Sequence, residues 1–222
     1  MKRITIAIIF FIIIIQGNVL TFNVYKENAI EVCEGFKAGA TSTLQGTKTN
    51  PNMYEPANVF DGNPKTIWAE GVAGPGIGEE LVFDIPSDPM PKGPQYILIL
   101  NGNAYSKQLF LENNRIKELT VILYVGIDSG VYENYCTKYI RKEYKRFDCK
   151  LVDKMEFQKI KLNVDYNDSK AFWKKTRNEM LAKGDKVSTS EYGQYLFCAL
   201  KIKSVYKGSK YDDTCISEIS FE

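Results

Sequence analysis

Short apolar runs separated by turn-forming residues make up most of the chain after residue 79. Such runs predict β-strands, because alternate side chains of a strand point to opposite faces of its sheet. Asn101-Gly102 ends one predicted strand, and Gly126 with the following residues 128–130 ends another. The predicted strands are residues 80–85, 96–100, 115–125, 156–164, 195–206 and 215–221. Mostly antiparallel strands at this spacing predict an all-β fold, a β-sandwich whose loops gather at its two ends.

One segment has helical periodicity instead. Residues 168–184 carry a narrow apolar stripe, which consists of Phe172, Trp173, Thr176, Met180 and Leu181. Asp168 or Ser169 can cap the start of this helix, and Gly184 can end it. We expect one short peripheral helix that packs its stripe on a sheet. A helix that contacts a membrane surface or a partner is the alternative.

The chain begins with MKRITIAIIFFIIII, two basic residues followed by an apolar run from Ile4 to Ile15. This pattern predicts a secretory signal peptide over residues 1–17, with a cleavage boundary between 17 and 22. The run is shorter than the roughly 20 apolar residues that a membrane span needs, and an uncleaved anchor is the alternative. We therefore expect an exported protein, either secreted or at the periplasm or cell surface, with one domain over residues 23–222.

Charge and composition exclude several classes of function. The chain has 29 basic and 27 acidic residues, and without Lys2 and Arg3 the two counts are equal. A neutral domain gives no electrostatic reason to expect nucleic acid as a partner. The chain has no histidine, which excludes Ser-His-Asp and Cys-His catalysis and histidine zinc sites. A glycosidase would need a carboxylate pair such as Glu70 and Glu79 across a cleft. We expect these glutamates to support structure or backbone amides, and the protein not to be an enzyme.

Five cysteines follow the apolar run, so an exported chain could form disulfides, and the odd count leaves at least one thiol unpaired or intermolecular. Cys136 with Cys149 could close a hairpin, and Cys198 with Cys215 could join the last two strands. Spacing does not decide the connectivity, and several buried free thiols are the alternative.

The stretch NVFDGNPKTIWAEGVAGPGIGE, residues 58–79, is too rich in turn formers for a strand or a helix. Its D-G-N-P turn can bring several oxygens inward, which suits a hard cation such as calcium. Glu218 could complete the shell if the chain ends lie side by side, and a turn without a metal is the alternative. We expect Trp68 to fill the core. The glycines at 74, 76 and 78 lack the lysine of a phosphate-binding loop and predict close backbone packing.

The segment YEPANVFDGNPKTIW at 54–68 resembles the N-A-x-D-G-x-x-x-T-x-W signature of discoidin domains. These are also called factor V/VIII type C domains or family 32 carbohydrate-binding modules. Residues 113–121, 158–162, 199–206 and 216–221 are similar to strands of that family, in the same order. The resemblance implies a galactose-binding-like jelly-roll β-sandwich over residues 23–222, with a helical insertion near 168–184.

A finer resemblance lies in W-x-E-G-x-x-G-x-G-I-G-E at 68–79 and V-Y-x-G-x-K-Y-D-D-T-C-I-S-E-I at 205–219. Both are similar to a bacterial subgroup, the glycan-binding (translocation) domain attached to secreted NAD glycohydrolases. The resemblance implies an exported, non-catalytic module that binds a glycan or another cell-surface ligand. The alternative is an adhesin or toxin-associated domain that binds protein or phospholipid.

The resemblance also implies a structural calcium ion. Its ligands would be the D-G-N-P-x-T turn, the glutamate of the final strand and a nearby carbonyl: Asp61, Asn63, Thr66, Glu218 and the carbonyl near Phe60.

A polar cluster in VYKGSKYDDT provides the candidate ligand residues Tyr206, Tyr211 and Asp212. Tyrosines offer a flat face to a sugar ring, and carboxylates accept hydrogen bonds from its hydroxyls. A solvated loop before the last strand is the alternative for this segment.

Overall fold

The computed structural model describes residues 29–34, 36–86, 93–133, 136–190 and 195–222. The predicted signal peptide lies outside these residues. The elements are β1 Ala29–Cys33, β2 Ala38–Ala40, a 3₁₀ helix Pro56–Phe60, β3 Trp68–Ala69, β4 Glu80–Asp84, β5 Tyr96–Asn101, α1 Lys107–Glu112, β6 Arg115–Glu133, β7 Cys136–Lys150, β8 Phe157–Lys161, α2 Tyr166–Ala182, β9 Tyr195–Tyr206 and β10 Cys215–Phe221. None of the helices in the described ranges is long and apolar enough to cross a membrane.

The strands form two antiparallel sheets that face each other. The larger sheet has the order β1-β7-β6-β9-β4-β2, and the smaller one has the order β3-β10-β5-β8. Strands far apart in sequence are neighbours in both sheets, so the fold depends on long-range pairing. The predicted all-β sandwich is confirmed.

A continuous apolar core fills the space between the sheets. Trp68, Phe83 and Leu119 are fully buried in it, and burial of each such side chain contributes about 1.5–3 kcal/mol. The indole Nε1 of Trp68 donates to the Ser42 carbonyl at 3.2 Å. Trp68 therefore fills the core, as predicted.

The long hairpin of β6 and β7 departs most from the sequence prediction. Gly126 does not end β6, because it pairs with Arg141 on one side and Tyr195 on the other. A Cβ at Gly126 would lie 2.6 Å from the Phe197 ring, so the strand needs glycine there for packing. β7 was not predicted, because lysines and arginines hide its alternation. Its charges pair across the outer face, as in the ion pair of Lys203 with Asp148 at 2.6 Å.

The predicted helix is present and packs against the larger sheet as expected. It begins at Tyr166, two residues early, because the Asp165 carboxylate accepts from two backbone N–H groups of the first turn. Asp168 and Ser169 therefore lie inside the helix. Trp173 is buried and donates from Nε1 to the carbonyl of Gly126 at 3.1 Å, which ties the helix to β6.

One disulfide joins Cys33 to Cys136, which lie directly opposite each other in β1 and β7. The suggested pairs of Cys136 with Cys149 and Cys198 with Cys215 are therefore wrong. Cys149 lies opposite Leu119 and is a free thiol, as are the buried Cys198 and Cys215. The alternative of several free thiols is the one that the structure supports.

We expect Cys33→Ser combined with Cys136→Ser to lower the free energy of unfolding by about 2–5 kcal/mol. The bond joins residues 103 positions apart and so restricts the unfolded chain strongly. Cys149→Ser is the matched control and should change stability little. Chemical denaturation measures both effects, and thiol titration of the unfolded, unreduced chain should find three thiols. Five thiols, or equal stabilities, would contradict this disulfide.

Candidate functional site

The D-G-N-P segment forms a tight turn that is organised by the carboxylate of Asp61. Asp61 Oδ1 accepts from the backbone N–H of Asn63 at 2.7 Å. The Thr66 hydroxyl lies 2.7 Å from both Asp61 Oδ2 and the Asn63 carbonyl. Gly62 has φ = +76°, a conformation that glycine adopts without strain. The turn therefore gathers side-chain and main-chain oxygens within six residues.

Glu218 of β10 meets this turn, although the two are far apart in sequence. A β-bulge between Ile216 and Glu218 breaks the strand's alternation, so Ile216 and Ile219 both enter the core while Glu218 does not. The Glu218 carboxylate accepts from the backbone N–H of Gly62. Its atom Oε2 is buried and has no hydrogen-bond partner among the described residues.

The electrostatics of the turn favour an added positive charge. Burial raises the pKa of Glu218, and the neighbouring Asp61 carboxylate raises it further, while the Gly62 N–H lowers it. The carbonyl of Phe60, the remaining predicted ligand, accepts from Lys37 Nζ at 3.3 Å.

The predicted cation ligands therefore come together, and their chemistry fits a hard cation that prefers oxygen. Asp61 of the turn and Glu218 of β10 provide two carboxylates, and the turn adds carbonyl and hydroxyl oxygens. In the described part of the chain, no group of three or more His, Cys, Asp or Glu side chains could hold a metal. A cation at this turn would therefore need the uncharged oxygens as well.

A cleft of about 800 Å³ lies beside the turn, between loops that precede β3, follow β5 and precede β10. Its walls combine three tyrosines with several asparagines and one carboxylate. These polar and aromatic lining residues include Tyr54, Tyr105, Tyr211, Asn58, Asn103 and Asp213. Apolar side chains complete the lining. Such a mixture of aromatic surface and a few polar groups is typical of a small-molecule site.

The 3₁₀ helix before the turn holds one wall of the cleft in place. The Asn58 amide donates to the carbonyls of Asn52, Met53 and Ile67 at 3.2, 3.1 and 2.9 Å. These bonds fasten the loop that carries Tyr54 to the chain entering β3. The wall is thus preorganised rather than a loose loop.

The floor of the cleft brings Tyr54 close to Tyr211, Asp213 and Cys215. Burial raises the pKa of Tyr54, and the neighbouring groups raise it further. Burial also raises the pKa of Asp213 and that of the Cys215 thiol, which is therefore protonated and unreactive. The floor thus offers one carboxylate as a hydrogen-bond acceptor.

The rim of the cleft is aromatic and exposed. Tyr105 is 59% exposed and Tyr211 is 39% exposed. Lys65 Nζ lies 5.9 Å from the centre of the Tyr105 ring, and Lys210 Nζ lies 4.7 Å from that of Tyr211. The entrance therefore carries two exposed aromatic rings, each with a lysine ammonium over its face.

Of the three predicted ligand residues, one lines this cleft. Tyr211 does, whereas Tyr206 lies outside it and its hydroxyl donates to the Leu151 carbonyl at 3.1 Å. Asp212 also lies outside, where its carbonyl accepts from Asn114 at 2.6 Å. Its neighbour Asp213 occupies the cleft instead. Sequence reasoning missed Tyr54 and Tyr105, and the only signal for Tyr105 was the preceding Asn101-Gly102 turn.

The two glutamates considered as a carboxylate pair have structural partners. Glu70 is fully buried, and its oxygens accept from the backbone N–H groups of Thr214 at 3.1 Å and Val72 at 2.9 Å. Glu79 accepts from the Thr41 hydroxyl at 2.6 Å. Gly76 packs directly on the Glu70 side chain, where a Cβ would collide with it. The glycine-rich loop thus closes over a buried carboxylate that supports backbone amides.

We expect Glu70→Gln to lower the free energy of unfolding by about 1–3 kcal/mol. A glutamine has one acceptor oxygen, so one of the two backbone N–H groups would lose its partner. Glu79→Gln is the control and should have a smaller effect, because an amide still bonds to the Thr41 hydroxyl. Urea denaturation of the two variants checks this, and a Glu70→Gln variant as stable as the parent would contradict the assigned role.

Comparison with known proteins identifies the family of the chain. The family model described as the NAD glycohydrolase translocation F5/8 type C domain matches residues 24–222. No curated protein matches the chain. Two cryo-EM structures of the arabinofuranosyltransferase AftD from mycobacteria match at 11% and 12% identity, with TM-scores of 0.41 and 0.43. Each match covers 86% of this chain and 11% of the transferase. From the family match, the chain belongs to the discoidin-like F5/8 type C domains of NAD glycohydrolase translocation.

Proposed function

We propose that this protein is an exported, non-catalytic module that binds a cell-surface glycan in the cleft beside the D-G-N-P turn. The observation that carries the proposal is the convergence of Tyr54, Tyr105 and Tyr211 on one concave site with Asp213. The family description refers to translocation of NAD glycohydrolases. Attachment to a surface glycan would hold such a module at a membrane surface.

The chemistry of the cleft suits a sugar. The apolar C–H face of a pyranose packs on an aromatic ring, and its hydroxyls need donors and acceptors at the edge. The tyrosine rings supply the faces, while the Asp213 carboxylate and the asparagine side chains supply the polar partners. The cleft volume of about 800 Å³ has room for a short oligosaccharide.

The exposed apolar residues Met53 and Leu111 favour a second candidate, a protein or phospholipid partner. They are 41% and 48% exposed, and Met53 lines the cleft. Exposed apolar groups at a rim are typical of interaction surfaces. The tyrosines, asparagines and Asp213 that line the cleft favour the glycan.

We expect Tyr105→Ala and Tyr211→Ala each to weaken glycan binding roughly tenfold, because each removes a stacking face. A glycan array identifies the ligand, and isothermal titration calorimetry with that glycan measures the affinity. Tyr206→Phe is the matched control, since Tyr206 lies outside the cleft, and it should leave the affinity unchanged. An array without hits, together with binding to liposomes or to a protein, would support the second candidate instead.

We further propose that a calcium ion stabilises the turn, held by oxygens of Asp61, Asn63, Thr66, Glu218 and the carbonyl of Phe60. The buried, unpartnered Glu218 Oε2 supports this proposal most directly. Calcium would supply positive charge between two carboxylates that otherwise repel each other. It would thereby fasten β10 to the turn that leads into β3.

We expect saturating calcium to raise the melting temperature of the parent protein by several degrees over the chelated protein. Binding at 100 times Kd contributes about 2.7 kcal/mol, and for a domain of this size each kcal/mol raises the melting temperature by roughly 2–4 °C. Glu218→Gln should reduce the calcium shift strongly, whereas the exposed control Glu156→Gln should keep it. Differential scanning calorimetry measures all three, and a parent protein that chelation leaves unchanged would contradict the calcium site.

A further inference from the structure

A lysine already places a positive charge at the proposed calcium turn. Lys37 directly precedes β2, and its Nζ donates to the Phe60 carbonyl at 3.3 Å. The Lys37 charge also lowers the pKa of Glu218, although among the described residues the ammonium forms no ion pair with that carboxylate. No motif or family signature in the sequence singled out this residue.

The backbones on both sides of this contact are held firmly. Ala38, the next residue after Lys37, pairs with Phe83 in the larger sheet. The ring of Phe60 packs at 5.2 Å from that of Phe83 and at 6.0 Å from that of Phe221. The carbonyl of Phe60 and the start of the Lys37 side chain thus have fixed positions. Only the flexible stem of the lysine can move the ammonium away.

The positive charge of Lys37 lies at a turn where two carboxylates repel each other. Asp61 and Glu218 place two carboxylates side by side, and Glu218 is largely buried. One ammonium offsets part of their repulsion, and a divalent cation would offset all of it. Lysine and calcium would also use the same oxygen, because the Phe60 carbonyl that accepts from Lys37 is one of the proposed calcium ligands.

We propose that Lys37 is the built-in counter-ion of the turn of Asp61 and Glu218 and competes there with calcium. The proposal rests on the calcium site proposed above. When calcium is scarce, the ammonium holds the Phe60 carbonyl and keeps the turn formed. When calcium binds, the ammonium leaves that carbonyl and turns to solvent. The lysine thereby weakens calcium binding and makes the fold less dependent on calcium.

The test compares Lys37→Met with Lys48→Met in the chain from residue 23 onward. Methionine keeps most of the length of the lysine stem and removes the charge. Lys48 is exposed and makes no ion pair among the described residues, so its substitution controls for the loss of one surface charge. Calorimetric titration with calcium chloride gives the affinity, and melting in chelator gives the metal-free stability.

We expect Lys37→Met to bind calcium roughly three- to tenfold more tightly than the parent. We also expect it to melt at a lower temperature in chelator, and calcium to reverse this loss. Lys48→Met should match the parent in both measurements. Calcium binding by Lys37→Met alone, with none by the parent, would also support the proposal, because the lysine then excludes the metal.

Two results would overturn the proposal, and they differ in what else they overturn. If Lys37→Met and the parent bind calcium with equal affinity, the role of Lys37 is wrong and the calcium site stands. If neither protein binds calcium, the competition and the calcium site are both wrong. The double variant Lys37→Met with Glu218→Gln then tests the counter-ion role alone. If Lys37→Met lowers the metal-free melting temperature by the same amount in the parent and in Glu218→Gln, the lysine does not act through Glu218. That result would overturn the counter-ion role too.

Discussion

The position of β10 in the middle of the smaller sheet is the constraint on which the rest of the structure depends. β10 pairs with β3 on one side and β5 on the other. Its start carries Cys215 into the cleft floor, and its bulge turns Glu218 toward Asp61. The residue before it, Thr214, donates its backbone N–H to Glu70. One strand thus brings together a turn, a glycine-rich loop and the floor of the cleft from distant parts of the chain.

Local pattern was enough to predict most of the elements. Alternating apolar positions revealed six strands, and helical spacing revealed α2. Pattern failed at β7, where charged side chains take the place of an apolar alternation and reach partners on other strands of the sheet, as Asp148 does with Lys203 of β9. It also failed for the disulfide, because Cys33 belongs to a short edge strand whose partner is set by the register with β7. Both failures come from contacts between strands, which periodicity does not encode.

Of the two candidate sites, the turn could be predicted from local sequence and the cleft could not. The cluster of Asp61 and Glu218 was predicted both from the oxygens of the D-G-N-P turn and from the family resemblance, because a local motif and the final strand carry it. The cleft did not follow, because it is made where separate loops meet, and neither spacing nor composition tells which loops are neighbours. Tyr211 lines the cleft and was predicted from its own segment, whereas placing Tyr105 there needs the position of the loop after β5. Tyr206, predicted from the same segment, does not line the cleft, and its hydroxyl bonds to Leu151 instead.

The claim that the cleft is the ligand site is tested most directly by an NMR titration of the ¹⁵N-labelled protein with the glycan that binds best on an array. The account predicts chemical-shift changes concentrated at the backbone amides of Asn103, Tyr105 and Tyr211, which saturate with one affinity. Changes centred on the exposed edge strand β8 near Phe157, with the cleft amides unaffected, would contradict it.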